Sequence, residues 1–283
     1  MTCRSVANTL RSLELSPGLM RTTNMPGAGG GVAFAHSVTQ RDDDPSVLVA
    51  ASPGTTLLLA QGQWGKLTED DVRWVGAIGA EYGVLAVDAD SPWQDLGDLM
   101  ADWRDDPEGF VVSGGSALAG QDHMKVLLLV QRAGIDPRRI RYVPFDGGGE
   151  AMTALLGGFV QVFSGEASEV EGQVRAGRMR VLTVLAPRRL GGFLAEVPTA
   201  RESGIDVEWI TWRGFYAPGG IDDARYQEWV ELLRRLAESP EWEEARRINR
   251  LQPYVLLGEE FEAFARRQVL EFRTMSRDIG IIR

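Results

Sequence analysis

Apolar positions along the chain change their period many times, and each change falls at a glycine, a proline or a short polar cluster. Val6, Leu10 and Leu13 stand at helical spacing over residues 2–15, so the chain opens in a helix that Pro17 and Gly18 bring to an end. Residues 19–24 read as a short strand, 32–40 as a helix, and 47–51 as a buried strand. Residues 72–80 and 84–87 add strand material, and Ser91, Pro92 and Asp95 open a helix that runs to about Arg104. A strand–turn–helix unit then recurs. Residues 110–112 run into the turn 113–116 and a long helix over 122–133 with an apolar face; 140–145 lead through a glycine triplet to 150–156; 160–163 lead through Ser164 and Gly165 to 168–176. Residues 180–186 form another strand. From Asp222 the pattern is helical, over 222–239, 241–249 and 259–279, and the many Arg and Glu residues there read as solvated faces.

Alternation of this kind predicts an α/β fold with parallel sheets and crossover helices. Ligands of such sheets lie beyond the carboxyl ends of the strands. Three glycine-rich turns fall at those places: residues 26–31, 113–116 and 146–149. A helix begins with unpaired backbone N–H groups and a partial positive charge, and glycine lets the backbone approach a ligand closely. The chemistry these turns suit is the holding of a small carboxylate or phosphate. Each turn also has a purely steric explanation, since αβ connections need glycine for tight turns.

Composition narrows the choices. With 283 residues, one large or two medium domains are expected. The net charge of −10, from 40 acidic and 30 basic residues, disfavours nucleic acid and anionic membranes as partners. Cys3 stands alone and His36 and His123 are the two histidines, so neither an internal disulfide nor a cysteine or histidine-rich metal centre is expected, and no cofactor is implied. No apolar run reaches the length of a membrane span. Arg4, Asn8, Arg11 and Glu14 interrupt the first twenty residues, which therefore do not read as a signal peptide. The chain reads as cytosolic, or as a mature or truncated product.

Known motifs fail one residue at a time. Gly27 and Gly29 begin a dinucleotide fingerprint, but Val32 fills its third glycine position, and no phosphate loop with Gly-Lys-Ser/Thr exists. Leu118 breaks a hydrolase elbow after Gly114, Gly115 and Ser116. His123 lies close enough in sequence to suggest a relay with Ser116; its other reading is a first-turn histidine bonded to the preceding loop. Residues 164–169 either cap a helix, through Ser164 or Ser168, or face a ligand. Trp209 and Trp212, beside the Arg213-Gly214 turn, read as packing at a hinge, and the remaining tryptophans as core.

A longer pattern is more specific. Tyr142-Val143-Pro144-Phe145-Asp146-Gly147-Gly148-Gly149-Glu150-Ala151 continues through 154–158, Phe163-Ser164-Gly165, Ser168-Glu169, Ala176-Gly177, Val197-Pro198-Thr199 and Trp212-Arg213-Gly214-Phe215. With Asn24-Met25-Pro26-Gly27-Ala28-Gly29-Gly30, this resembles the solute-binding proteins of tripartite tricarboxylate transporters, over almost the whole chain and in order. The resemblance implies a periplasmic-binding-protein type II-like fold: two αβ domains joined by crossover strands, closing on a ligand in the cleft between them. The expected division is 1–88 with 214–283, and 89–213, with hinges near 87–90 and 210–214. It further implies a non-enzymatic, extracytoplasmic and monomeric receptor that passes a small di- or tricarboxylate, or a similar acid, to membrane permease subunits. Carried over by position, the ligand-binding candidates are Gly27, Ala28, Gly29, Gly30, Ser52, Ser113, Gly114, Gly115, Ser116, His123, Gly147, Gly148, Gly149, Ser164 and Ser168.

The chain departs from that family at its start. Members begin with a strand and a glycine-rich loop before the first helix, whereas residues 1–7 here read as that helix already under way. The first domain is therefore expected to be N-terminally incomplete, with unpaired backbone groups where the strand would lie. Two rival functions share the fold: an enzyme acting on a carboxylate through His123 with Ser116 or Glu169, and a cytosolic carboxylate-sensing module.

Overall fold

Local signals place most element ends, and long-range pairing decides the rest. The computed structural model describes residues 2–16 and 18–283. Helix α1 (Thr2–Ser12) buries Val6 and Leu10; Pro17, the expected stop signal, lies outside the described residues. Helix α2 (Gly31–Gln40) follows the first glycine turn, and strand β1 (Val49–Ala51) leads to α3 (Pro53–Ala60). Strand β2 (Val72–Asp88) is followed by α4 (Leu96–Asp105), which begins where Asp95 accepts the Asp98 N–H at 2.9 Å. Then come β3 (Val111–Gly114), α5 (Gln121–Arg132), β4 (Arg141–Pro144) and α6 (Gly148–Leu156). The chain continues with β5 (Val162–Glu166), α7 (Ala167–Arg175), β6 (Met179–Val184) and β7 (Ile210–Pro218). It closes with α8 (Asp223–Ala237), α9 (Pro240–Ile248), β8 (Leu256–Leu257) and α10 (Gly258–Asp278).

Three expectations are corrected. Residues 19–24 belong to no strand, and no strand among the described residues pairs with them. The strand material of 72–80 and 84–87 is one continuous strand of 17 residues. Gly76, Gly79 and Gly83 sit in β2 where other groups press close; a Cβ on Gly76 would meet Leu257 Cδ2 at 2.4 Å. The sheet is mixed rather than parallel. Helix α3 and strand β7 lacked a clear periodic signal.

The chain forms two compact units. The first holds residues 1–80 and 212–274, with strand order β1-β7-β2 and β8 added to β2. Its core joins Val6 and Leu10 of α1 to Val75, Ile78, Phe215, Trp229, Leu233 and Trp242. Two of the polar rings buried there donate hydrogen bonds: Trp242 Nε1 to the Ile78 carbonyl at 2.9 Å and the Tyr226 hydroxyl to the Trp74 carbonyl at 3.0 Å. Trp212 packs edge-on to Trp74 and donates to Gln268 Oε1 at 2.9 Å. The charges of α8–α10 form surface pairs such as Arg247–Glu244.

The second unit holds residues 81–211 and 275–283; β2 and β7 are the strands that run from one unit into the other. β6 and β5 pair antiparallel with β2, whereas β3 pairs parallel with both β4 and β5. Only the three consecutive strand–turn–helix units are parallel, as a helical crossover requires. Their strands point the same way, so the turns after β3, β4 and β5 share one edge. Beneath them Ala151, Leu155, Phe163 and Val170 form an apolar core.

Candidate functional site

At that shared edge the second unit brings two of its glycine turns into backbone contact. A Cβ on Gly115 would lie 2.5 Å from the Gly148 nitrogen and 2.6 Å from the Gly147 carbonyl carbon, so only glycine fits. Gly147 has φ 111°, a left-handed conformation that turns the chain into α6. The first N–H groups of α6, from Gly148, Gly149 and Glu150, donate to no acceptor among the described residues. They form a concentrated donor set at the positive end of a helix.

Glu169 lies beside these donors. A Cβ on Gly148 would meet its Oε1 at 2.5 Å, and one on Gly165 would meet its Oε2 at 2.6 Å. Oε2 accepts the Glu166 N–H at 2.8 Å, as half of a capping box in which Glu166 caps α7. The helix cap is thus Glu166 and neither Ser164 nor Ser168. Burial pushes the Glu169 carboxyl above its ordinary range.

The predicted serines have different surroundings. Ser113 and Ser164 are fully buried: Ser113 donates to the Ala151 carbonyl at 3.1 Å and Ser164 to the Asp122 carbonyl at 2.8 Å. Both hydroxyls tie turns to helices. Ser168 donates to Glu81. Ser116 Oγ accepts the Asp122 N–H at 2.9 Å, which leaves its own proton to give, and its carbonyl accepts from the Tyr142 hydroxyl at 2.8 Å.

His123 is buried in the first turn of α5 and stacks on Tyr142, with ring centroids 4.5 Å apart. Its Nδ1 accepts the Ala119 N–H at 3.0 Å, so the neutral ring carries its proton on Nε2. Ser116 and His123 share no hydrogen bond among the described residues, and Ser116 Oγ is turned to the α5 backbone. Burial pushes the imidazole down from 6.5 to about 4. Between those values the unfolded chain binds the extra proton and the folded one does not, so stability is full above pH 6.5 and declines as pH falls toward 4. Urea unfolding at pH 7.5 and at pH 5.0 is expected to differ by about 2 kcal/mol from this group, and His123→Gln is expected to remove that part of the slope. An identical slope in the variant would place the pH dependence elsewhere.

Below the edge lies a charged cluster that the sequence did not announce. Lys125, fully buried in α5, donates to Asp122 Oδ1 at 2.9 Å, to Glu166 Oε1 at 2.7 Å and to the Gly165 carbonyl at 3.2 Å. Its three ammonium protons are all used. Thr211 Oγ1 also donates to Glu166 Oε1, at 2.9 Å, whereas Glu166 Oε2 is buried with no partner. The available signal was a lysine inside the apolar run of α5 with an aspartate three residues earlier.

In the first unit, Gly27, Ala28, Gly29 and Gly30 all have positive φ, from 48° to 128°, and wind into α2. The Trp64 indole donates to the Ala28 carbonyl at 2.9 Å, and a Cβ on Gly31 would lie 2.6 Å from Trp64 Nε1. Leu58 of α3 lies under Gly29, so this loop and α3 are packed together. Ser52 caps α3: its Oγ accepts the Gly54 N–H at 3.3 Å, and Thr55 reaches back to the Ser52 N–H at 3.4 Å. The structure therefore gathers Gly27–Gly30 with α3 in one unit, and Gly114–Ser116, His123 and Gly147–Gly149 in the other.

A cavity of about 630 Å³ in the first unit is lined by none of these residues; the turn at the start of α6, with its free donors, is the chemically equipped place. Among the described residues no group of three or more His, Cys, Asp or Glu side chains is placed to hold a metal ion, and no helix is long and apolar enough to cross a membrane.

Residues 4–281 match the model of the "Tripartite tricarboxylate transporter family receptor". The chain is 30% identical to the Bordetella pertussis protein BugT over 224 residues, 77% of this chain and 66% of BugT. Among solved structures, the Rhodopseudomonas palustris protein Rpa4515, determined with adipate, superposes with a TM-score of 0.83 at 20% identity, covering 99% of this chain and 92% of that one. MatC from the same organism, determined with bound malate, gives a TM-score of 0.77 at 19% identity, covering 97% and 92%. These likenesses carry the fold, an open mixed sheet of the periplasmic solute-binding type.

Proposed function

The chain belongs to the tripartite tricarboxylate transporter receptor family, a class of solute-binding receptors rather than enzymes, and from that membership we propose that it captures a small organic carboxylate and delivers it to a membrane permease of the tripartite type. The observation that carries this reading is the set of unpaired N–H groups of Gly148, Gly149 and Glu150 at the start of α6, beside the Gly115 turn. Backbone amides at a helix N-terminus suit a carboxylate, and hydrogen bonds to an ionised acceptor are roughly twice as strong as neutral ones. Ser116 Oγ supplies one further proton at the same edge. In the first unit, the Gly27–Gly30 loop and Ser52 serve the same class of ligand. Dicarboxylates are the substrate class we favour, because relatives of this fold were determined with malate and adipate. A receptor of this kind works outside the cytoplasm, and the permease subunits are its partners.

Calorimetric titration of the protein with malate, succinate, adipate and citrate tests the reading. Saturable, one-to-one binding of at least one of them, with no change in the acid on prolonged incubation, is the expected result. Absence of binding across the set would remove the proposed substrate class, and turnover that His123→Ala abolishes would restore the enzyme reading.

A further inference from the structure

The side-chain charges around the free amides of α6 run against an anion. Asp122 and Glu166 stand in the cluster under the shared edge, and the cation between them, Lys125, has its three protons engaged by Asp122, Glu166 and the Gly165 carbonyl. Glu169 adds a third carboxyl, packed against Gly148 and Gly165. Asp146 and Glu150, both exposed, flank the turn into α6, and Glu81 of β2 accepts from Ser168, the residue before Glu169. A carboxylate arriving at the α6 donors therefore meets three carboxyls balanced by one ammonium.

Glu169 is the acid in contact with the donor set, and its two oxygens are in different situations. Oε2 accepts the Glu166 N–H at 2.8 Å. Oε1 has no hydrogen-bond partner among the described residues, and it is the atom that a Cβ on Gly148 would meet at 2.5 Å. An ideal Cβ lies about 2.5 Å from its own nitrogen, so Oε1 is within about 5 Å of the Gly148 nitrogen. A ligand oxygen that accepts this N–H at about 2.9 Å can stand in contact with Oε1. Two carboxylates that share a place in this way do not both stay ionised without cost, and one of them favours its protonated form.

On the reading that a carboxylate docks at the start of α6, we propose that Glu169 takes up one proton from solvent when the ligand arrives and that its Oε1–H then donates to the docked acid, so that capture strengthens as pH falls. The cap fixes where the proton goes: Oε2 is held as an acceptor by the Glu166 N–H, which leaves Oε1, the oxygen at Gly148. Uptake turns a repulsion into a charge-assisted hydrogen bond. The carboxyl is already prepared for this. Partial desolvation pushes it up first of all, the charges of Asp122 and Glu166 add to that, and the Glu166 N–H and Lys125 oppose it. The residue as a whole still meets solvent, so its proton exchanges with water. The sign follows from linkage: the liganded protein holds more protons than the free one, so affinity rises as pH falls, and the ligand in turn tightens the hold on the proton.

Calorimetric titration of the full chain with malate, succinate and adipate at pH 6.0 and pH 8.0, set beside Glu169→Gln, tests this. Glutamine keeps an oxygen for the Glu166 N–H and places an amide donor where Oε1 stands, so it imitates the protonated acid. The parent protein is expected to bind at least about fivefold more tightly at pH 6.0 than at pH 8.0, and the variant to stay within about twofold. At pH 8.0 the variant is expected to bind about tenfold more tightly than the parent. Titration of the acids themselves affects both proteins alike, so the difference belongs to Glu169. Repeating the titration at pH 6.5 in phosphate and in imidazole, buffers of different ionisation heat, is expected to show uptake of about half a proton or more per ligand by the parent and none by the variant. Parallel pH profiles, no proton uptake by the parent, or weaker binding by the variant at pH 8.0 would each overturn the inference and leave the carboxylate reading standing. No binding of these acids to either protein would remove the carboxylate reading and this inference with it.

Discussion

Replacing Lys125 by methionine is expected to lower the stability of the protein by about 3–5 kcal/mol, the range seen when one partner of a buried ion pair is removed. Methionine matches the length and apolar stem of lysine, so volume is nearly kept and the loss is electrostatic. The ammonium is fully buried and satisfies two carboxylates, Asp122 at 2.9 Å and Glu166 at 2.7 Å. Without it those two negative charges stay close together, at 12% exposure each, with Thr211 the one remaining side-chain donor to Glu166 Oε1. Burial opposes the charge of Lys125, but Asp122 and Glu166 outweigh it and raise the ammonium above its ordinary 10.5. Its contribution is therefore intact below that pH and is lost only as the pH climbs through the raised value. Denaturant unfolding at pH 7.5 measures the deficit. Adding Asp122→Asn and Glu166→Gln to Lys125→Met is expected to recover more than half of it, because the unpaired charges go as well. A loss below about 1 kcal/mol in the single variant would mean that the cluster carries no net stabilisation. The same lysine holds the Gly165 carbonyl at the end of β5, so loosening it also loosens the edge on which the candidate site stands.

How much of this was legible depends on the range over which each signal acts. The repeated strand–turn–helix units of the second unit were readable because each is local: Val111–Gly114, the turn and Gln121–Arg132 announce themselves within about twenty residues. The start of the site was readable for the same reason, since Gly115 and Gly147 are glycines by backbone necessity. What failed was pairing between distant segments. Whether residues 19–24 become a strand depends on a neighbour, not on their own alternation. The span 72–87, read as 72–80 and 84–87, is one strand whose glycines Gly76, Gly79 and Gly83 admit Leu257, Leu251 and Lys125, contacts that no local pattern announces. Helix α3 is apolar on most sides, with Pro53, Thr56, Leu57, Leu59 and Ala60 buried, so it shows no helical period. Within the site, Ser113 and Ser164 were chosen as hydroxyls near glycine, but both are buried against helices, Ser113 bonding the Ala151 carbonyl of α6 and Ser164 the Asp122 carbonyl of α5. Glu169 entered the sequence argument only as an alternative base, and its packing against Gly148 and Gly165 is a tertiary fact.

The second large effect separates the two glycines that flank the free amides of α6. Gly115→Ala places a methyl 2.5 Å from the Gly148 nitrogen and 2.6 Å from the Gly147 carbonyl carbon, both backbone atoms with nowhere to retreat. The two turns must part. The Gly148 N–H is then displaced and covered, and a carboxylate held there loses one charge-assisted hydrogen bond, worth about 1.5–3 kcal/mol. Affinity for whichever dicarboxylate the parent protein binds most tightly is expected to fall about 10- to 100-fold, and stability to fall by about 1–3 kcal/mol from the overpacking. Gly149→Ala is the matched control. A Cβ there meets nothing within 4 Å, and the residue lies inside α6, where alanine favours the helix by about 0.5–1 kcal/mol. Its N–H is kept, so binding is expected to stay within about twofold while stability rises. Calorimetric titration and denaturant unfolding of the two variants side by side decide the matter. If both lose affinity equally, the added methyl obstructs the ligand wherever it is placed and the contact between the turns is irrelevant. If neither does, the donors at the start of α6 do not hold the carboxylate, and the amide-rich loop at Gly27–Gly30 becomes the place to look.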